Sequence, residues 1–137
     1  MQCKVFDSLD VRTITDVQLL EIRKAVPTFG LVCIRGQNLT PTELISFTAK
    51  FGEVITLPTS FKLKNEWPDY PTITRVSNIR PNGDIIRKHR GAEYWHNDGD
   101  FWQPDKKYVF SFLNSKVVPK EGGKTAWADI RTAYERL

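Results

Sequence analysis

The sequence predicts an α+β chain that turns mostly β beyond its first third. Two helix-start signals lie close together near the N-terminus. After them come runs of β-branched and aromatic residues separated by Pro, Asn and Gly, the punctuation of short strands and hairpins. The composition, 40% hydrophobic and 26% charged over 137 residues, is that of an ordinary globular protein. At this length the prior is one domain, which buries about two-thirds of the surface its unfolded chain exposes.

Each element has a local cause. Thr15-Asp16-Val17-Gln18 is a capping box, in which the Thr hydroxyl and the Gln side chain satisfy each other's backbone amides. Val17, Leu20, Ile22 and Val26 follow, predicting a helix over residues 15–26 that stops before Pro27. Gly30-Leu31-Val32-Cys33-Ile34-Arg35 reads as a short buried strand. Thr40-Pro41-Thr42-Glu43 starts a second helix, with Thr as cap, Pro at the first helical position and Glu three after the cap. Leu44, Phe47, Thr48 and Phe51 share one face of it, and Gly52 is placed for a left-handed C-cap.

The middle changes character. Residues 58–71 hold three prolines and scattered charge, predicting a loop longer than most. Residues 72–79 read as a strand, Pro81-Asn82-Gly83-Asp84 as a hairpin turn and residues 85–89 as the return strand. Residues 108–113 form a clear β segment, and Thr125-Ala126-Trp127-Ala128 a short one. Asp129 then caps a helix with Ile130, Ala133, Tyr134 and Leu137 on one face. It carries no Gly, Asn or Pro stop signal.

Several function classes are disfavoured. No apolar run approaches the roughly 20 residues that span a bilayer. Met1-Gln2-Cys3-Lys4-Val5-Phe6-Asp7 has no secretory h-region, so a soluble, cytoplasmic protein is expected. Cys3 and Cys33 have neither C-x-x-C nor zinc spacing, and Cys33 reads as a small buried apolar residue. Twenty Lys+Arg against 16 Asp+Glu give +4. The densest basic stretch, Arg87-Lys88-His89-Arg90, is a poor nucleic-acid footprint and reads as a solvated, anion-attracting rim. Neither nucleic acid nor membrane is expected as a partner.

The chemistry concentrates in Trp95-His96-Asn97-Asp98-Gly99-Asp100-Phe101. On a strand, His96 and Asp98 project to one face, where an imidazole and a carboxylate can take adjacent corners of one metal. Two His and one carboxylate on a face is the arrangement that holds non-haem Fe(II) with positions left open. An H-x-D arises readily by chance, so its context matters. Trp95 and Phe101 flank it, and further on Gly122-Gly123-Lys124-Thr125 turns a Gly pair into a short strand whose Thr hydroxyl can donate to an anionic co-substrate.

These runs, followed by Ala133-Tyr134-Glu135-Arg136-Leu137, resemble the taurine dioxygenase family of Fe(II)- and 2-oxoglutarate-dependent oxygenases. The resemblance extends to the Gly30–Arg35 strand and the Phe51-Gly52-Glu53 helix end. It implies a double-stranded β-helix, or jelly-roll, core flanked by N-terminal helices and incomplete in this chain, so that residues 1–137 are a single, partial domain. It further implies that His96 and Asp98 ligate iron and Thr125 hydrogen-bonds 2-oxoglutarate. Asn78, Gly99 and Phe101 lie at the substrate side. Iron, 2-oxoglutarate and O₂ then act together, with succinate and CO₂ released as a small organic substrate, anionic ones included, is hydroxylated. A carboxylate at Asp98 favours hydroxylation, because halogenating relatives keep a small residue there.

In the family the second His ligand and the Arg that pairs with 2-oxoglutarate lie in the C-terminal half. The expectation is therefore that this chain is an N-terminal half, completed by further sequence, a second chain or a homo-oligomer. Its activity alone is doubtful. Only His89 could substitute as ligand, and it reads rather as an exposed rim residue. The competing reading is a catalytically degenerate or partner-binding module of the same fold, completed by a second chain. Trp67, Trp95, Trp102 and Trp127 suggest pocket lining or core. Lys62 and Lys64 suggest an anion-greeting loop or solvated charge, and Glu93 and Asp100 spare carboxylates or surface. Residues 108–113 are expected to leave apolar surface exposed.

Overall fold

The computed structural model describes residues 2–56, 69–79, 82–85, 94–98 and 109–137. Along the chain these hold β1 (Cys3–Phe6), a 3-10 turn (Val11–Thr13), α1 (Asp16–Phe29), β2 (Leu31–Ile34), α2 (Pro41–Ala49) and α3 (Ile130–Tyr134). The chain divides into two compact units, Met1–Glu43 with Asn114–Leu137, and Leu44–Leu113. No described helix is long and apolar enough to cross a membrane.

The first unit is built on a β-α-β crossover. β1 and β2 pair in parallel, with Cys3 opposite Leu31 and Phe6 opposite Ile34. Parallel neighbours need a long connection, and α1 supplies it. The Thr15 capping box forms as its residues dictate: the Gln18 amide donates to Thr15 Oγ1 at 3.3 Å, and the Thr15 amide donates to Gln18 Oε1 at 2.9 Å. Leu9, Val11, Ile22, Ala25 and Leu39 make the buried core of this unit. Gln37 pins its edge, donating to Leu9 O at 2.6 Å and accepting from the Val11 amide at 3.1 Å. The C-terminal stretch is tied on by polar contacts. Lys116 Nζ donates to Asn38 Oδ1 and Leu39 O, and Arg131 Nη1 to Pro27 O.

Three local expectations are corrected. α1 does not stop before Pro27 but runs through it to Phe29 and ends at Gly30 with φ 76°. A proline close to a helix end removes only one amide from the ladder, its φ is already helical, and the Gly30 amide closes the turn on Val26 O at 2.7 Å. Gly52 is not a left-handed cap, since its φ is 151°. α2 instead tightens at its end, with the Lys50 amide on Phe47 O and the Phe51 amide on Thr48 O, the i to i−3 pattern that often closes a helix. Cys33 is half-buried and Cys3 exposed, both as free thiols.

The second unit is organised by aromatic rings. Phe47, buried on α2, meets Phe51 edge-on at 5.3 Å and Phe112 at 5.9 Å. Phe51 in turn contacts Phe110 at 5.4 Å and Phe112 at 5.0 Å. The one-faced stripe of α2 thus finds its partner in the residue 109–113 segment. That segment is not a strand, nor are residues 72–78 or 125–128. A β-rich composition becomes a ladder only where a second backbone satisfies its amides and carbonyls, and these segments have no such neighbour among the described residues. The hairpin survives in part. Ile79 and Ile85 form an isolated antiparallel bridge, with Gly83 at φ 88° in the turn. Residues 57–68 and 86–90, which include most of the expected loop and return strand, lie outside the described residues.

The helix expected after Asp129 is present as α3. The Arg131 amide donates to Asp129 Oδ1 at 3.0 Å. The Arg131 guanidinium, hydrogen-bonded to the same carboxyl, holds Asp129 below the usual carboxylate range. Ile130 and Tyr134 of its apolar stripe are exposed. Exposure was also expected across residues 108–113, and it is met at Val109 (81%) and Leu113 (67%).

Candidate metal centre

His96 and Asp98 come together. His96 Nε2 lies 3.5 Å from Asp98 Oδ1, and both side chains are more than half exposed. They do so without a strand: residues 94–98 belong to no ladder, and Asp98 sits in a turn. Strand alternation therefore does not align them. The local path of the chain does, held by a hydrogen bond from the ring to the backbone two residues earlier.

That bond decides which nitrogen is the donor atom to a metal. His96 Nδ1 is 2.8 Å from Tyr94 O. A carbonyl oxygen only accepts, so Nδ1 carries the hydrogen. In the neutral ring Nε2 then bears the lone pair, and it faces a carboxylate oxygen. A lone-pair nitrogen and a carboxylate oxygen 3.5 Å apart are both acceptors, so a cation can be shared between them. Fixing one imidazole nitrogen on a carbonyl so that the other binds metal is a recurrent ligand arrangement.

The spacing fits a shared ion. Two donors about 2.1 Å from one first-row divalent metal, with zinc as the measured case, lie roughly 3.0–3.5 Å apart for angles between about 90° and 110°. The donor types fit as well, since imidazole and carboxylate are what non-haem Fe(II) takes. As a bare ion pair, the same contact at an exposed site is worth only about 0–1 kcal/mol. Among the described residues no group of three or more His, Cys, Asp or Glu is placed to hold a metal, so His96 and Asp98 stand as a pair.

The Asp98 carboxylate is held on its other side. Ser111 Oγ donates to Asp98 Oδ2 at 2.8 Å. The sequence offered a signal for Ser111 that motif reading passed over. It is the lone aliphatic hydroxyl in the run Tyr108-Val109-Phe110-Ser111-Phe112-Leu113.

The remaining expected site residues are not joined to this pair by any described contact. Asn78 is exposed beside the bridge residue Ile79, whose amide and carbonyl are both bonded by Ser77 Oγ. Thr125 is exposed, outside any helix or strand, in the unit that contains Asn114–Leu137. Both Gly122 and Gly123 ahead of it have positive φ, 75° and 62°, as a Gly-Gly turn allows. Trp95 and Trp127 are exposed rather than core. Gly99, Phe101, His89, Glu93, Asp100, Lys62, Lys64, Trp67 and Trp102 lie outside the described residues.

The sequence that builds this pair matches a known family. The model of the family described as taurine catabolism dioxygenase TauD, TfdA matches residues 4–137, and this chain belongs to that family. It is 28% identical to the alpha-ketoglutarate-dependent 2,4-dichlorophenoxyacetate dioxygenase of Cupriavidus pinatubonensis, over 96% of this chain and 48% of that protein. It is 28% identical to the (S)-phenoxypropionate/alpha-ketoglutarate-dioxygenase of Sphingobium herbicidovorans, over 97% of this chain and 44% of that protein. It is 32% identical to the pentalenolactone F synthase of Streptomyces avermitilis, over 91% and 40%. The chain spans about half the length of the curated relatives it matches. No solved structure matches it significantly.

Proposed function

We propose that this chain supplies the His96–Asp98 part of the iron site of an Fe(II)/2-oxoglutarate-dependent dioxygenase that hydroxylates a small organic acid. The observation that carries this reading is the pair itself: Nδ1 tied to Tyr94 O, and Nε2 lying 3.5 Å from Asp98 Oδ1. Family membership and the printed activities of the relatives support the same reaction class. On this reading residues 1–137 are part of a single jelly-roll domain, and the third ligand and the 2-oxoglutarate arginine come from family sequence outside this chain.

Each residue then has a task. His96 offers Nε2 to the metal, its Nδ1–H being held on the Tyr94 carbonyl. Asp98 offers Oδ1, and its charge offsets part of the metal's charge while leaving positions for co-substrate. Iron, when bound, supplies the redox chemistry that couples 2-oxoglutarate decarboxylation to C–H hydroxylation. Thr125 donates its hydroxyl to 2-oxoglutarate, and Asn78, Gly99 and Phe101 border the substrate. The phenoxy acids in the names of two relatives make aryloxy carboxylates the first substrates to try.

The test uses the product of the full reading frame that contains this chain. Anaerobic Fe(II) with 2-oxoglutarate should give a weak visible charge-transfer band, and succinate should form in air with an aryloxy acid. His96→Ala and Asp98→Ala should each abolish both. If iron binding is the same in both variants as in the parent, the assignment is wrong. A band without succinate on any substrate favours the degenerate-module reading instead.

A further inference from the structure

The two oxygens of Asp98 are not equivalent. Oδ1 faces His96 Nε2, and Oδ2 accepts the hydrogen bond from Ser111 Oγ at 2.8 Å. Ser111 arrives from 13 residues further along the chain, so the contact is tertiary and not an accident of the turn. Its backbone is anchored on both sides. Phe110 and Phe112, its immediate neighbours, both pack on the Phe51 ring, and Phe112 also on Phe47. With both neighbours turned onto those rings, the Ser111 side chain points the other way, to Asp98.

We infer that Ser111 is a positioning residue for the metal-binding carboxylate. It holds Oδ2 so that Oδ1 is the oxygen presented alongside His96 Nε2. The terminal torsion of an aspartate is broad and roughly two-fold, so a free carboxylate samples both oxygens and the rotations between them. A hydroxyl donor on one oxygen narrows that range. It also keeps the second oxygen from turning toward the ion and taking a further coordination position. Ser111 acts through Asp98 and touches neither metal nor substrate. The inference rests on the metal-centre reading above and adds a residue to it.

Outer partners of metal ligands typically contribute about 10–100-fold in metal affinity. The experiment titrates Co(II) alone into the product of the full reading frame that contains this chain, labelled with ¹⁵N-histidine. Broadening and shift of the His96 ring signals give the dissociation constant. Ser111→Thr keeps the hydroxyl, whereas Ser111→Val has nearly the same shape without it, so the pair separates hydrogen bonding from packing. Ser111→Thr should bind close to the parent, and Ser111→Val should weaken Co(II) about 10–100-fold at a similar thermal midpoint. Equal affinities for the Thr and Val variants, whether both are parent-like or both weakened, overturn the inference. Asp98→Asn is the control for the reading beneath it. If Asp98→Asn leaves Co(II) binding unchanged, the metal centre itself fails and the role of Ser111 with it. If Asp98→Asn loses binding while Ser111→Val does not, only the inference fails.

Discussion

Phe47 is the side chain on which the second unit turns, and replacing it tests how that packing reaches the site. It is 6% exposed and makes two edge-on ring contacts, to Phe51 at 5.3 Å and 78° and to Phe112 at 5.9 Å and 84°. Such pairs are worth about 0.5–1.5 kcal/mol each beyond the area they bury. Phe47→Leu keeps most of the volume and loses both ring contacts, so it should cost about 1–3 kcal/mol. Phe47→Ala also leaves a cavity and should cost about 3–5 kcal/mol. For a chain of this size 1 kcal/mol moves the midpoint by roughly 3–5 °C. Thermal unfolding followed by circular dichroism should therefore show Leu lowered by roughly 3–15 °C and Ala by more. Because Phe112 flanks Ser111, Phe47→Leu should also weaken Co(II) binding at temperatures where the chain is still folded. A Phe47→Ala midpoint within about 2 °C of the parent refutes the packing account. A destabilised Phe47→Leu with unchanged Co(II) affinity refutes the link from the aromatic cluster to Asp98.

Two further outcomes follow from local chemistry. Backbone and side-chain hydrogen bonds from Thr40, at 2.7 and 2.9 Å, hold the Glu43 carboxyl below the ordinary glutamate range. A group whose folded pKa is depressed contributes stability above its unfolded pKa, near 4.3, and loses it as pH falls through the folded value. The parent should lose stability on acidification in that window, and Glu43→Gln, which keeps the capping box without a titrating group, should lose less; parallel pH–midpoint curves would contradict this. Gly123 has φ 62°, and a Cβ there meets Pro119 Cγ at 2.9 Å. Gly123→Ala should therefore destabilise by about 1–2 kcal/mol, against little change for Lys124→Ala next to it, as urea midpoints can show.

The parts legible in the sequence are those whose cause is local. Both capping boxes formed on the predicted residues, because the groups that satisfy a helix start lie within three residues of each other. The His-x-Asp pair was legible for the same reason, although the strand expected to align it is absent. β1 was missed: four residues with no strong alternation become a strand only because β2 lies alongside, with α1 between them. Residues 72–78 and 109–113 show the converse, since their β composition finds no ladder partner among the described residues.

The amino-acid order by itself determined where helices begin, which residues are candidates for metal chemistry and which family the chain resembles. Tertiary structure alone decided that Ser111 holds one oxygen of Asp98 and leaves the other beside His96. A motif names ligand types by their spacing along the chain. His96 is oriented locally, by Tyr94 two residues away, but the Asp98 carboxylate is held by contacts between residues distant in sequence, Ser111 with Asp98 backed by Phe47 with Phe112, which no local pattern encodes.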